Sequence, residues 1–159
     1  MPGIKQILIA VIFFLPVYGV HAQVPKNSKP VPVQKFKPPK VKTSWGNLAD
    51  SASISVNEAL ELLSIPLKII DAKKNEYVIS SYQFLYRKLG TIEIDETGRT
   101  IPTTTISAQL FRTTPLSDIW IKSISEQLKA GEELYYYDIV AKDNQGHLFF
   151  APTLSIRTN

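Results

Sequence analysis

From residue 50 onward the chain is dominated by alternation of apolar and polar positions. Over Glu76–Lys88 (EYVISSYQFLYRK), Val78, Ser80, Tyr82, Phe84 and Tyr86 share one face, and Tyr77, Ile79, Ser81, Gln83, Leu85 and Arg87 share the other. A period of two with one richer face predicts a half-buried antiparallel strand. Ile92 and Ile94 predict a short strand, Asp95-Glu96-Thr97-Gly98 a turn, and Ile101 the start of the return. The β-branched opening of Thr103–Phe111 predicts a further strand. Ile65–Ile70 reads as a strand with Pro66 near its start, where a missing donor matters least. Near the C-terminus, Glu133–Lys142, the turn Asp143-Asn144-Gln145-Gly146 and His147–Arg157 predict a β-hairpin. Pro152 interrupts its closing strand, as at a bulge or an edge.

The period changes between these strands. Leu116, Trp120 and Ile124 stand four apart, with Ile121 and Leu128 continuing the stripe. Thr114 as N-cap, Pro115 at the first helical position and Gly131 as C-cap bound a predicted helix of roughly 15 residues. Asp118 in its first turn and Lys129 in its last agree with the helix dipole. A shorter helix over Val56–Leu63 ends before Pro66. Several short strands around one principal helix predict a mainly β domain, a β-sandwich with the helix inserted before the last hairpin; the alternative is an α+β domain.

The N-terminus follows a different plan. Lys5 precedes the apolar run Ile7–Val17, Pro16 and Gly19 break helix, and Val20-His21-Ala22 offers small or β-branched residues for a signal peptidase. Residues 1–22 are therefore expected to be a secretory signal peptide, cleaved between Ala22 and Gln23, with no stable membrane anchor after processing. The run is too short for the roughly 20 residues that cross a bilayer as a helix. The chain contains no cysteine, which excludes a lipobox and any disulfide framework, so the domain must rely on an apolar core. Periplasmic or secreted localisation follows as the expectation.

Charge is divided along the chain. Residues 23–49 carry Lys26, Lys29, Lys35, Lys37, Lys40 and Lys42 without an acidic residue, while residues 50–159 hold eleven basic and all fourteen acidic residues, a net of −3. Five prolines stand among those lysines. Like-charge repulsion and proline stiffening predict a disordered linker over 23–49, followed by the globular domain at 50–159. The lysines read as a basic arm toward an anionic surface or as a solvated spacer. An exported protein with a net acidic domain is a poor candidate for nucleic acid. Trp45 stands near the linker–domain junction.

Catalytic chemistry is not signalled. Once the signal is removed, His147 is the single histidine; with no cysteine this argues against a zinc site of the usual nitrogen–sulfur type. No G-x-S-x-G elbow exposes a nucleophile and the seven glycines form no phosphate loop. Asp95-Glu96 and Glu132-Glu133, beside turns, read as solvated charges. The sequence points to no catalytic residue, cofactor or metal, and to a non-enzymatic protein. What remains is aromatic: Tyr135-Tyr136-Tyr137, Phe149-Phe150 and Trp120. Neighbours on a strand point to opposite sides, so some rings must face outward. Tyr135, Tyr136, Tyr137, Phe149 and Trp120 are the candidate contacts for an envelope protein partner or, alternatively, for a glycan such as peptidoglycan.

The stretch from Gly131 through Tyr135-Tyr136-Tyr137, Asp138, Ile139 and Ala141 to Gly146, with Leu154 and Ile156 in the closing strand, resembles the C-terminal domain of the GldM/PorM family of gliding-motility and type IX secretion proteins of Bacteroidetes. The shared pattern is a glycine before a strand ending in an Asp-Ile-x-Ala-like unit, then a glycine-containing turn and a closing strand. The resemblance spans residues 65–157 and is densest over the last 30 or so. The family's Pro-Asp-Gly turn is replaced here by Asn144-Gln145-Gly146, and the transmembrane helix and additional periplasmic domains of full-length members have no counterpart. The resemblance implies a free-standing periplasmic domain of immunoglobulin-like fold that docks onto partners, possesses no catalytic residues and serves as an accessory to an envelope machine.

Overall fold

The computed structural model describes residues 35–96 and 98–159, and its folded unit is Phe36–Asn159. With 52% of these residues in strands against 12% in helices, the domain is mainly β and sandwich-like, a curled mixed sheet with two helices. The strands are β1 (Val41–Trp45), β2 (Ala52–Ile54), β3 (Leu67–Asp71), β4 (Glu76–Ile94), β5 (Arg99–Phe111), β6 (Glu133–Lys142), β7 (Leu148–Phe150) and β8 (Leu154–Thr158). The helices are α1 (Val56–Leu62) and α2 (Asp118–Ser125). The eight strands form one sheet in the order β1-β3-β4-β6-β8-β2, with β5 paired to β4 and β7 to β6; β2 runs parallel to β8 and the other pairings are antiparallel. Among the described residues no helix is long and apolar enough to cross a membrane.

Alternation along the strands does not keep one phase. In β4, Tyr82, Phe84 and Tyr86 are buried, but before them Tyr77 and Ile79 pack on the core and Val78 is 65% exposed. The face assigned from sequence to Val78, Ser80, Tyr82, Phe84 and Tyr86 is therefore split in two. The cause is a pair of bulges: the register with β6 shifts between Ile79 and Ser81 and again between Ser81 and Gln83. In β6 the buried set changes from Leu134 and Tyr136 to Ile139 and Ala141, and the extra residue is Asp138, whose φ is +48°. Aspartate tolerates this left-handed conformation better than most residues, and a bulge of this kind turns successive side chains over. The third strand changes phase at the same level: Phe149 and Ala151 are buried on one side of Pro152, Leu154 and Ile156 on the other. Pro152 thus divides the predicted His147–Arg157 strand into β7 and β8, and the Ala151 amide donates to the Ile139 carbonyl at 2.8 Å.

The inner face collects the aromatic residues. Tyr136 lies 4.9 Å from Phe84, 5.4 Å from Trp45 and 5.7 Å from Tyr82, ring centre to ring centre. Trp45 is 1% exposed and donates its indole N–H to the Ile65 carbonyl at 3.0 Å. Offset and tilted rings at such separations add to the burial energy. Trp45 belongs to β1, which pairs along its whole length with β3. The boundary expected at residue 49/50 is accordingly displaced: the folded unit reaches back to Phe36, because the apolar Trp45 needs the core and β1 supplies a sheet edge to β3.

Helix α2 is eight residues rather than roughly 15. Ser117 is its N-cap in place of Thr114, whose hydroxyl instead accepts from the Leu67 amide at 2.7 Å. The apolar stripe continues through Leu128, which is buried, but in a turn beyond the helix. Glu126 is the C-cap, so Lys122, not Lys129, is the basic residue of the last turn. Helix α1 follows the sequence reading, with the Ser55 hydroxyl accepting from the Glu58 amide at 3.2 Å.

Two measurements test this account. At Asp138 a β-branched side chain meets the left-handed penalty, so Asp138→Val should cost about 1–2 kcal/mol in urea unfolding, whereas Asp138→Gly should hold or raise stability; equal losses for both would remove the conformational explanation. Burial pushes the Tyr82 hydroxyl up to about 12 from 10.0 and raises Tyr136 in the same direction. Protons are therefore held more tightly folded than unfolded. That contribution is complete below pH ~10 and is lost as pH climbs through the folded values. Tyrosinate absorbance should rise in step with unfolding above pH ~11; ionisation of all tyrosines near 10 in a still-folded chain would contradict the buried cluster.

Candidate interaction surface

The register that buries Tyr82, Phe84 and Tyr86 turns a second row outward. On β4 and β6, Leu85 stands opposite Tyr135 and Gln83 opposite Tyr137; on β4 and β5, Leu85 stands opposite Ala108, Gln83 opposite Leu110 and Arg87 opposite Ile106. Leu110 is 45% and Ile106 57% exposed. Beyond the bulges the same face carries Val78, Leu148 and Phe150, which is 74% exposed. The Tyr135 and Tyr137 rings stack on this face, 5.2 Å apart and 10° from parallel. One sheet therefore has two apolar faces, one filled by the core and the other exposed among the described residues.

The structure separates the residues predicted as contacts. Tyr135 and Tyr137 lie on the outer face, half-buried against each other. Tyr136 (2%) and Phe149 (4%) are core residues, so neither is a surface contact: Tyr136 centres the aromatic cluster and Phe149 packs edge-on to Tyr77 at 5.3 Å. Phe150 takes the exposed place expected of one member of its pair. Trp120 is half-buried on α2, edge-on to Phe84 at 5.5 Å and to Phe111 at 5.8 Å, with its N–H donated to the Gln109 side chain. This packing holds one side of the Trp120 ring against the core, while the ring also borders a cavity beside β5. Of the basic arm, Lys35, Lys37, Lys40 and Lys42 are exposed, and Lys42 belongs to β1. Lys26, Lys29 and the Ala22–Gln23 cleavage position lie outside the described residues.

Sequence reading missed one polar centre. Glu132, expected to be solvated, is 0% exposed. Its carboxylate accepts from the Tyr86 hydroxyl, from the Leu89 amide at 3.0 Å and from the Lys129 amide at 3.0 Å. Its own amide donates to the Thr158 hydroxyl at 3.1 Å and its carbonyl accepts from the Thr158 amide at 2.9 Å. Three hydrogen bonds stand where a cation would usually compensate a buried carboxylate. Burial, and then Glu132 itself, raise the Tyr86 pKa, so the phenol stays a donor. Gly131, at φ +88° with a Cβ position 3.1 Å from the Leu89 side chain, makes the approach possible; it serves this turn rather than capping α2. Glu133 points the other way and pairs with Arg87 at 3.0 Å beside an open groove of about 590 Å³ that includes Arg157 and Ser155. The only sequence signal for Glu132 was its place between a turn glycine and a strand, which resembles any solvated loop acid.

His147 is exposed and locks its own turn. Asp143 accepts from the His147 and Gln145 amides, both at 2.8 Å, and meets the His147 ring at 2.9 Å. Partial desolvation pushes the Asp143 carboxyl up, but these hydrogen bonds outweigh it and bring it below the usual value. Phe36 stacks on the imidazole at 4.5 Å, which ties the start of the folded unit to the β6–β7 turn. Among the described residues no three His, Cys, Asp or Glu side chains gather as a metal site would require. Neither a family model nor a curated protein matches the sequence.

Removing the Glu132 carboxylate should unfold this corner. Glu132→Ala strands three donors and should cost at least about 3 kcal/mol, while Tyr86→Phe removes one charge-assisted bond and should cost about 1.5–3 kcal/mol. In a double-mutant cycle measured by urea denaturation the two losses should be far from additive; additive losses would mean that the pair is not coupled.

Proposed function

We propose that the chain is a non-catalytic protein-interaction module of the bacterial envelope, exported by its N-terminal segment and akin to the C-terminal domains of the GldM/PorM family. The observation that carries this reading is the open outer face of the sheet, with the stacked Tyr135–Tyr137 pair beside Leu85, Leu110 and Ile106. Contiguous exposed apolar surface on a soluble domain marks a contact site, and tyrosines are favoured there because they bring large area with little conformational freedom to lose. The Asp138-Ile139-x-Ala141 unit on which the resemblance rests coincides with the β6 bulge. It therefore reports a fold-level constraint, and the functional kinship rests on the outer face. The lysine- and proline-rich segment before Phe36 would give the module reach along an anionic surface.

A crosslinking pull-down from envelope fractions with the tagged full chain tests the proposal. Joint Tyr135→Ser and Tyr137→Ser substitution should lower recovery of an envelope protein about tenfold with circular dichroism unchanged. Recovery unaffected by these substitutions would overturn the assignment of the surface. Co-sedimentation with purified peptidoglycan, abolished by the same pair, would transfer the outer face to glycan binding.

A further inference from the structure

We infer that the edge of β5 and the flank of α2 form a second docking groove, which takes an extended, acid-bearing peptide segment of a partner protein as an added strand. The inference assumes the interaction-module reading but uses a different surface. Among the described residues β5 hydrogen-bonds only to β4, so alternate N–H and C=O groups along its outer edge face away from the sheet. Folded proteins usually blunt such an edge with charge or proline. Here Pro102 guards the distal end, yet Thr103–Leu110 contains neither a charge nor a proline. An edge of this length without protection is a template for strand addition, in which the main chain supplies affinity and pockets for alternate side chains supply selectivity.

Such a pocket is present beside the edge. A cavity of about 270 Å³ lies between Thr105 and Ser107 of β5 and Ile119, Trp120 and Ser123 of α2, with Lys88 of β4 also on its wall. Ile119, at the lip, is 80% exposed. Tyr86, Trp120 and Ile124 line it with the hydroxyls of Thr105, Ser107 and Ser123, and Lys88 is the single charged residue among the described lining, its ammonium donating to the Gln127 side chain. A strand added to β5 would direct every second side chain toward α2, and one apolar side chain would fill this volume.

Charge selects the occupant. Arg99 and Arg112 bracket the strand, Lys88 stands in the pocket, and residues 99–112 include no carboxylate. A second copy of the chain is disfavoured on the same ground, because antiparallel pairing of two β5 strands would set Arg99 of one against Arg112 of the other. A segment with acidic residues flanking an apolar one fits both the edge and the pocket.

The test uses the full chain, isotopically labelled, and two synthetic nine-residue probes of alternating threonine and valine with a central phenylalanine, one flanked by glutamates and the other by lysines. The glutamate probe should shift the amide resonances of Thr103–Ala108 and the Trp120 indole, slow hydrogen exchange along β5, and bind about tenfold tighter than the lysine probe. Lys88→Glu, a replacement of a partly exposed side chain, should reverse that order while the spectrum stays dispersed. Equal binding of the two probes, or shifts confined to Leu85, Tyr135 and Tyr137, would overturn the groove. So would dimerisation through β5 in place of probe binding. Partner recovery that depends on Tyr135 and Tyr137 while neither probe touches β5 would remove the groove and leave the interaction module intact. Probe binding at β5 with no envelope partner recovered would do the reverse.

Discussion

The fold depends on a change of phase that crosses three neighbouring strands at one level. A strand offers its core every second side chain, so a chain with inward residues at Tyr77 and Ile79 cannot also bury Tyr82, Phe84 and Tyr86 without an extra residue between them. β4 supplies that residue between Ile79 and Ser81, β6 supplies one at Asp138, and the third strand breaks at Pro152. A bulge in β4 alone would put its lower half out of register with an uninterrupted β6. With both strands bulged, hydrogen bonding resumes at Gln83–Tyr137 and the aromatic cluster closes around Tyr136. The sheet bends there, as bulged sheets do, and the bend accompanies the curl that lets Trp45 of β1 meet Tyr136 of β6.

A buried carboxylate secures the other end of the same strands. Glu132 immediately precedes β6, touches β4 through Tyr86 and Leu89, and is clasped by Thr158 at the end of β8. An uncompensated charge there would oppose folding by several kcal/mol; with three donors aimed at it, the site instead demands one arrangement of the turn after α2. Helix α2 can accordingly be short. Its position is set by Leu116, Ile124 and Trp120 packed on the aromatic cluster and by a polar lock just beyond it, so it does not need the length that its apolar stripe implied.

The parts legible in the sequence are those where one residue's neighbours along the chain decide its environment. The strand over Glu76–Lys88, the turn at Gly98, the β6 hairpin and the short helix ending before Pro66 all have local causes, and each is present. What escaped has non-local causes. The phase of β4 depends on Asp138, more than 50 residues away, and Asp138 looks like any polar strand residue until its φ is known. β1 reads as linker because Lys42 and the lysines and prolines before it outweigh one tryptophan in any local average; the place of Trp45 is decided by Ile65 before β3 and Tyr136 of β6. Glu132 reads as solvated in the sequence because its three donors come from β4 and from the turn before it. For the outer face, alternation required that some of Tyr135, Tyr136 and Tyr137 point outward, but only the bulge determines that Tyr136 is the inward member and Phe149 its counterpart in β7.

The core accounts for only part of the length of β4. A strand of 19 residues spans roughly 60 Å, and its last buried residue is Tyr86. Past that point the β4–β5 hairpin continues with Leu89, Ile92, Ile101 and Ile106 in solvent. Exposed apolar residues on an extended ribbon add little to folding stability and favour association. The pocket beside α2 and the open outer face both border this ribbon, on opposite sides of the same two strands. The longest element thus stabilises the core with half its length and presents the remainder, and among the described residues the uncharged run Thr103–Leu110 pairs on one side only, with β4.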